Sequence, residues 1–217
     1  MIIINIAESN PIISHFMAQF KSSIEIMGKE QNDRKHFGEN VRNLGRILAL
    51  EACKHLEYSP VSINTPFGAT DLETLSSNPV LFAIVRAGIK LQEGVSDIFT
   101  NSQQGFCTCP KNETGGRNVQ LFAPCDTSGR TIIVSDPIMT TASSMTHTID
   151  AIIENGCPDK IIILNLISTE LAIKNLTRDK YDNCIIITCS IDGFTKGVRG
   201  TIPGLGDAGD LIYGKLR

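Results

Sequence analysis

The sequence contains no tryptophan, and aromatic residues make up only 6% of its 217 positions. It has little excess charge of either sign: 20 basic against 23 acidic side chains leave a net charge of −3. That balance excludes a protein built mainly to hold a nucleic-acid backbone, which needs clustered Lys and Arg. It also excludes a polybasic membrane anchor. No stretch approaches the ~20 consecutive apolar residues of a membrane span. The start, MIIINIAESN, lacks a charged leading segment and carries too short an apolar run for a signal peptide. The seven cysteines are odd in number and form no C-x-x-C pair. Most sit in apolar runs, where a free thiol behaves as a small hydrophobe. A soluble protein of a reducing, cytoplasmic compartment is the expectation. Internal repeats and low-complexity segments are absent as well.

What is present is enough chain for one core, since a fold of this length buries roughly 70% of its unfolded surface. Residues 33–56 predict an amphipathic helix, with Phe37, Val41, Leu44, Leu48, Ala52 and Leu56 at steps of three and four. Asp33 is its candidate cap; Lys35, Glu39, Arg42 and Arg46 read as a solvated face with weak pairs. Pro60 and Pro66 punctuate a loop-rich stretch. Val80–Val85 reads as a buried strand ending at Arg86-Ala87-Gly88, with a short helix after it.

Residues 105–125 predict a hairpin, with strands at Gly105–Cys109 and Val119–Phe122 around a polar turn, Pro110–Arg117. A long arm of this kind suits a lid. Strands at 131–134, 160–167 and 184–188 then alternate with helices at 143–155 and 169–178. Apolar strands separated by helices predict an α/β fold: a mostly parallel twisted sheet covered by helices on both faces. Ligands of such sheets bind beyond the carboxyl ends of strands. Two candidate sites follow, after Val85 and after Val134.

The second of these is Ser135-Asp136-Pro137-Ile138-Met139-Thr140-Thr141-Ala142-Ser143-Ser144, feeding a helix. Unsatisfied N–H groups and hydroxyls at a helix start favour a bound phosphate. Asp136 is an acceptor suited to the vicinal hydroxyls of a sugar. A sugar-phosphate site and a heavily furnished helix cap are both open on these residues alone. The tail, Thr201-Ile202-Pro203-Gly204-Leu205-Gly206-Asp207-Ala208-Gly209-Asp210, contains G-x-G-x-x-G without the strand–helix context of a dinucleotide fingerprint. Without a helix to open, these glycines predict a tight loop whose backbone faces a small planar ligand. Asp207 and Asp210 argue against a plain terminal turn.

Taken together, Val85-Arg86-Ala87-Gly88, the segment Ser135–Ser144, Ser190-Ile191-Asp192 and Ile202–Asp210 resemble the uracil phosphoribosyltransferases, in order and in separation. The resemblance covers most of the chain. It implies one type I phosphoribosyltransferase-like domain over 1–217, with a β-hairpin arm at 105–125 and a small C-terminal hood at 190–217. The implied reaction joins uracil to phosphoribosyl pyrophosphate (PRPP), giving UMP and pyrophosphate. By position, PRPP binding carries to Asp136, Pro137, Ile138, Met139, Thr140, Thr141, Ala142, Ser143 and Ser144. Arg86 and Lys111 fall on the pyrophosphate side, Lys111 standing where the family has arginine. Thr201, Gly206, Asp207 and Ala208 fall on uracil, and Asp207 reaches PRPP too. Arg86, Lys111 and Asp207 are the catalytic candidates. Mg²⁺ is implied as carried by PRPP, with no direct protein ligand. Also implied are a homodimer or higher assembly and GTP as a possible effector; neither nucleic acid nor membrane is a partner.

The chain departs from the family pattern in three places. Ala142-Ser143 replaces two glycines, Lys111 replaces an arginine, and Thr201 replaces an apolar residue. Ala142-Ser143 motivates an alternative, a non-catalytic nucleotide-sensing relative. Thr201 motivates another, a phosphoribosyltransferase for a different base.

Overall fold

The protein is described from a computed structural model, which covers residues 2–29, 34–111, 116–177, 181, 183–194 and 200–215. The chain opens with β1 (Ile2–Asn5), α1 (Ile6–Ser9) and α2 (Pro11–Lys29), followed by α3 (Arg34–Cys53). A pair of strands follows, β2 (Tyr58–Thr65) and β3 (Gly68–Leu75). Next come β4 (Val80–Ile84), α4 (Ala87–Ile98), β5 (Gln104–Thr108) and β6 (Gln120–Phe122). The second half runs β7 (Thr131–Ser135), β8 (Ile138–Met139), α5 (Ser143–Glu154), β9 (Lys160–Thr169) and α6 (Glu170–Leu176). It closes with β10 (Cys184–Asp192) and α7 (Ala208–Tyr213).

The main sheet has the order β1-β10-β9-β7-β4-β5-β6, with β8 added beside β9. All pairs are parallel except β5 with β6. β4 is buried at every position and β9 at all but its first, as expected for strands covered on both faces. The two faces are distinct. Leu81, Ile133, Ile162 and Leu164 pack with residues of α1–α4 and α7. Phe82, Ile132, Val134, Ile161 and Ile163 alternate with them and pack under α5 and α6. The expected α/β architecture is therefore present, with helices on both faces.

Four local expectations change. First, the predicted loop-rich stretch around Pro60 and Pro66 is an antiparallel two-stranded sheet, paired from Tyr58–Leu75 to Thr65–Gly68. It is almost wholly exposed, which is why no alternating pattern marks it. Pro60 sits at its edge, where a missing N–H is tolerated.

Second, Arg42 and Arg46, each still about a third exposed, do more than face solvent. They clamp Asp97 of α4, with Arg42 Nη2 at 2.8 Å from Oδ1 and Arg46 Nε at 2.8 Å from Oδ2. These two guanidinium groups hold the Asp97 carboxyl below the usual carboxylate range, the bonds from Arg42 contributing most. Third, α3 ends at Cys53, and its first helical residue is Arg34; the expected cap Asp33 lies outside the described residues.

Fourth, the glycine-rich tail does open a helix. Asp207 is the N-cap of α7, its Oδ1 accepting from Asp210 N at 2.9 Å. Six helical residues are too few to carry a periodic signal. The expected hood begins at 190, but Ser190–Asp192 completes β10 in the main sheet.

Candidate functional site

The site lies beyond the carboxyl ends of β4 and β7, neighbours at the centre of the sheet. Asp136 follows β7 directly. Its N–H donates to Leu164 O at 3.1 Å, and the carbonyl of Pro137 accepts from Leu166 and Ile167 of β9. β8 then pairs with Ile167 and Ser168. The Asp-Pro loop is thus sewn to the neighbouring strand, which fixes the acid at the strand end.

The turn from Thr140 to Ser144 is braced from behind. Thr169 Oγ1 donates to Thr140 O at 2.6 Å and Asn175 Nδ2 donates to Thr141 O at 3.0 Å. These bonds occupy two carbonyls of the loop. At the start of α5 the N-cap is Ala142, with no side-chain cap. Thr141 Oγ1 reaches Ser143 N only at 3.4 Å. By contrast, Thr169 caps α6 through Ala172 N at 3.0 Å. The hydroxyls at 140–144 are therefore not furnishing a cap, and the turn of α5 presents open donors to the cavity. Ala142 has φ of 57° and ψ of 11°, the left-handed region that glycine adopts freely.

A small cavity of about 110 Å³ is lined by Arg117, Asp136 and residues 138–145. A larger one of about 610 Å³ shares Asp136, Ile138, Thr140 and Ser144 with it and extends to Arg86 and the Gly206–Asp210 turn. Three distant segments of the sequence meet here. Arg86 reaches across to the tail, Nη2 to Asp210 Oδ1 at 2.8 Å and Nη1 to Gly214 O at 3.0 Å. The Val85–Arg86 and Ile202–Pro203 peptide bonds are cis.

The tail loop is tied to the sheet by Asp192, which the sequence reading did not assign a role. Its Oδ2 accepts from Gly204 N at 3.0 Å, while Gly193 and Ile202 bond each other reciprocally. Gly204 needs its glycine, with φ of 56° and the Thr201 carbonyl directly against the place a Cβ would occupy.

Burial pushes the Asp136 carboxyl up to about 7, and the nearby Asp207 adds to the rise. The Ile138 N–H and the Arg117 guanidinium oppose it. An acid titrating near neutrality in a cleft is typical of a working site.

Not all expected residues converge. Pro137 lines neither cavity; its carbonyl serves β9. Thr201 is buried with its hydroxyl unpartnered among the described residues, and it too lies outside both cavities. Lys111 is exposed at the hairpin stem, bridged across to Arg117. Arg117 is the residue the sequence reading missed: it closes the polar run 110–117 and is the hairpin cation lining the small cavity. Residues 112–115 of that hairpin lie outside the described residues.

Among the described residues no group of three His, Cys, Asp or Glu could hold a metal, and no helix is long and apolar enough to cross a membrane.

The family model described as uracil phosphoribosyltransferase matches residues 12–215. A uracil phosphoribosyltransferase of Sulfurisphaera tokodaii is 30% identical over 95% of this chain and 97% of its own. One from Porphyromonas gingivalis is 27% identical over 99% of both. Among solved structures, the AQ2163 protein of Aquifex aeolicus superposes with a TM-score of 0.84 over 98% of both chains, at 22% identity. That likeness concerns the fold.

Proposed function

This chain belongs to the uracil phosphoribosyltransferase family, and on that premise we propose how its residues transfer the phosphoribosyl group. The reaction is uracil plus PRPP to UMP plus pyrophosphate. The N1–C1 bond to ribose forms, the C1–oxygen bond breaks, and pyrophosphate leaves with the electron pair while uracil loses its N1 proton. The observation that carries the reading is the larger cavity, lined at once by the Arg86 corner, the Asp136–Ser144 loop and the Gly206–Asp210 turn.

Each wall supplies one part of the chemistry. The 5-phosphate sits at the uncapped start of α5, taking N–H and hydroxyl donors from Thr140–Ser144. Asp136 accepts from the ribose hydroxyls. Arg86 meets the pyrophosphate, with Lys111 approaching from the hairpin; positive charge there stabilises the departing group. Binding requires Arg86 to share or exchange its bond to Asp210. The backbone at Gly206–Ala208 holds the base edge-on, and Thr201, which does not line the cavity, bears on it through that loop. Asp207 orients uracil and assists loss of its N1 proton, which fixes the nucleophile against C1. Closure of the 105–125 arm would keep water from the reactive donor.

Mg²⁺ fits this donor set as an ion carried by PRPP. Mg²⁺ is commonly held by substrate phosphates, water and one or two carboxylates rather than by a protein cage. Pyrophosphate oxygens would hold it, with Asp207 as a carboxylate in the same cavity. Bound there, it would neutralise charge on the leaving group. We read the chain as one catalytic domain with its hood, acting in the cytoplasm, where its seven free thiols suit a reducing medium. Assembly into a homo-oligomer is supported by the β2–β3 arm, which exposes Ile63, Phe67 and Leu72. GTP is the effector to include in assays.

The test supplies PRPP and Mg²⁺ with each nucleobase in turn. UMP formed from uracil alone supports the reading. A monophosphate of another base, or PRPP binding without turnover, would replace it with the alternatives raised by Thr201 and by Ala142-Ser143.

A further inference from the structure

We infer that Arg117 is a direct ligand of the 5-phosphate of PRPP, delivered into the cradle by Ser143. The inference rests on the phosphoribosyltransferase reading and assigns one residue within it.

Arg117 and Asp136 are the charged side chains of the small cavity, and Arg117 is its cation among the described residues. The cavity, about 110 Å³, has room for a phosphate group and meets the larger cavity at Asp136, Ile138, Thr140 and Ser144. Without Arg117 its charge would be that of Asp136 alone, which repels a phosphate dianion.

The guanidinium is held in place. Nη1 donates to Cys109 O at 2.6 Å and Nε donates to Ser143 Oγ at 2.9 Å. Nη2 makes neither of these bonds, and the guanidinium also lies beside the Cys109 thiol. Two bonds therefore set the plane of the fork while part of its donor set stays free for a ligand. Its field reaches the site, since it favours the ionised forms of both Asp136 and Cys109 against the opposing effect of burial.

This arrangement explains Ser143. A side chain at the first residue of α5 narrows a turn that must approach a phosphate closely. Here its hydroxyl oxygen accepts from Arg117, leaving the hydroxyl hydrogen to donate to the anion. The Cβ costs space and brings in a cation. Lys111, across the hairpin from Arg117, lies outside this cavity, so the two cations divide the substrate: Arg117 toward the 5-phosphate, Lys111 toward the pyrophosphate.

The test titrates ribose 5-phosphate and, separately, pyrophosphate into full-length wild type, Arg117→Met, Arg117→Lys and Ser143→Ala by calorimetry. Loss of a charge-assisted bond should weaken ribose 5-phosphate at least tenfold in Arg117→Met, with pyrophosphate affinity within threefold. Arg117→Lys should lose three- to tenfold, keeping charge without the fork. Ser143→Ala should lose about threefold, because the anchor goes and the cation stays. Ribose 5-phosphate bound by Arg117→Met within twofold of wild type would overturn the inference, as would equal weakening of both ligands. If Arg117→Met does not fold, Arg117→Lys decides by the same twofold criterion. A wild type that makes UMP while the variants bind normally removes only the role of Arg117. A wild type that neither binds these ligands nor makes UMP removes the parent reading, and this inference with it.

Discussion

Asp136 shows how a single position couples fold to chemistry. Its carboxyl is held near 7, chiefly by burial. In its proposed role as acceptor of the ribose hydroxyls it works best ionised, so kcat/KM for PRPP should rise with pH through about 7. The phosphates of PRPP titrate near ~6 and contribute their own inflection. Asp136→Asn keeps that part and loses the rest, so the difference between the two pH profiles isolates Asp136. The variant should lose roughly 10- to 100-fold in kcat/KM above neutrality. Stability runs the other way. The folded carboxyl holds its proton more tightly than the unfolded one, so its contribution is present below about 4 and is lost as pH rises to about 7. Calorimetry should therefore find Asp136→Asn more heat-stable than wild type at pH 8, with little difference at pH 4. Ala142 is a second informative residue, because a left-handed conformation costs an L-residue roughly 1–2 kcal/mol. Ala142→Gly relieves that cost and loses methyl burial and chain stiffness of similar size. Unfolding free energy should stay within about 1 kcal/mol while KM for PRPP falls. Ala142→Val, β-branched in the same conformation, should cost about 2 kcal/mol or more in denaturant titration.

Among the elements, α3 and α4 are the clearest case of packing decided by absence of side chains. A Cβ on Gly94 would overlap the Arg42 carbonyl, and one on Gly45 would overlap the Leu91 carbonyl. The helices touch backbone to backbone, and that contact sets Asp97 between Arg42 and Arg46. Gly94→Ala should cost about 3 kcal/mol by overpacking. Thermal unfolding would fall by roughly 6–12 °C, given ~2–4 °C per kcal/mol at this size. Since α4 begins beside Arg86, loss of PRPP affinity should accompany the shift. α3, β4, β7, β9 and β10 were legible because each carries a long periodic or continuous apolar pattern. The β2–β3 pair, α1, α2 and α7 were not. The first is exposed on nearly all sides, and the last is held by tertiary bonds rather than by its own pattern.

For the whole molecule, three side chains among the described residues tie the hood down. Asp192 takes Gly204 N, Arg86 takes Asp210 and Gly214, and Arg34 Nη1 donates to Asp210 O at 2.6 Å and Leu211 O at 3.2 Å. Arg34 lies outside both cavities, so it positions the hood without meeting substrate. Its bonds are exposed and worth about 1 kcal/mol, or ~5-fold in an equilibrium. Arg34→Ala should therefore raise KM for uracil about fivefold, with a smaller change for PRPP. Steady-state kinetics with each substrate varied in turn would separate the two.

The sequence by itself determined the parallel α/β class, the Asp136–Ser144 loop and the tail segment, because each is a local pattern of apolar spacing, hydroxyls or glycines. It could also show that Ala142 and Ser143 were unusual. Only the tertiary structure decided which hairpin cation lines the small cavity at the start of α5, since Lys111 and Arg117 are equivalent as charges in a polar run and differ only in where the stem aims them. It also decided that Arg86 is committed to the tail and that Asp192 secures the glycine loop. Those are contacts between residues 12 to 128 positions apart, set by how helices and strands stack rather than by any local preference.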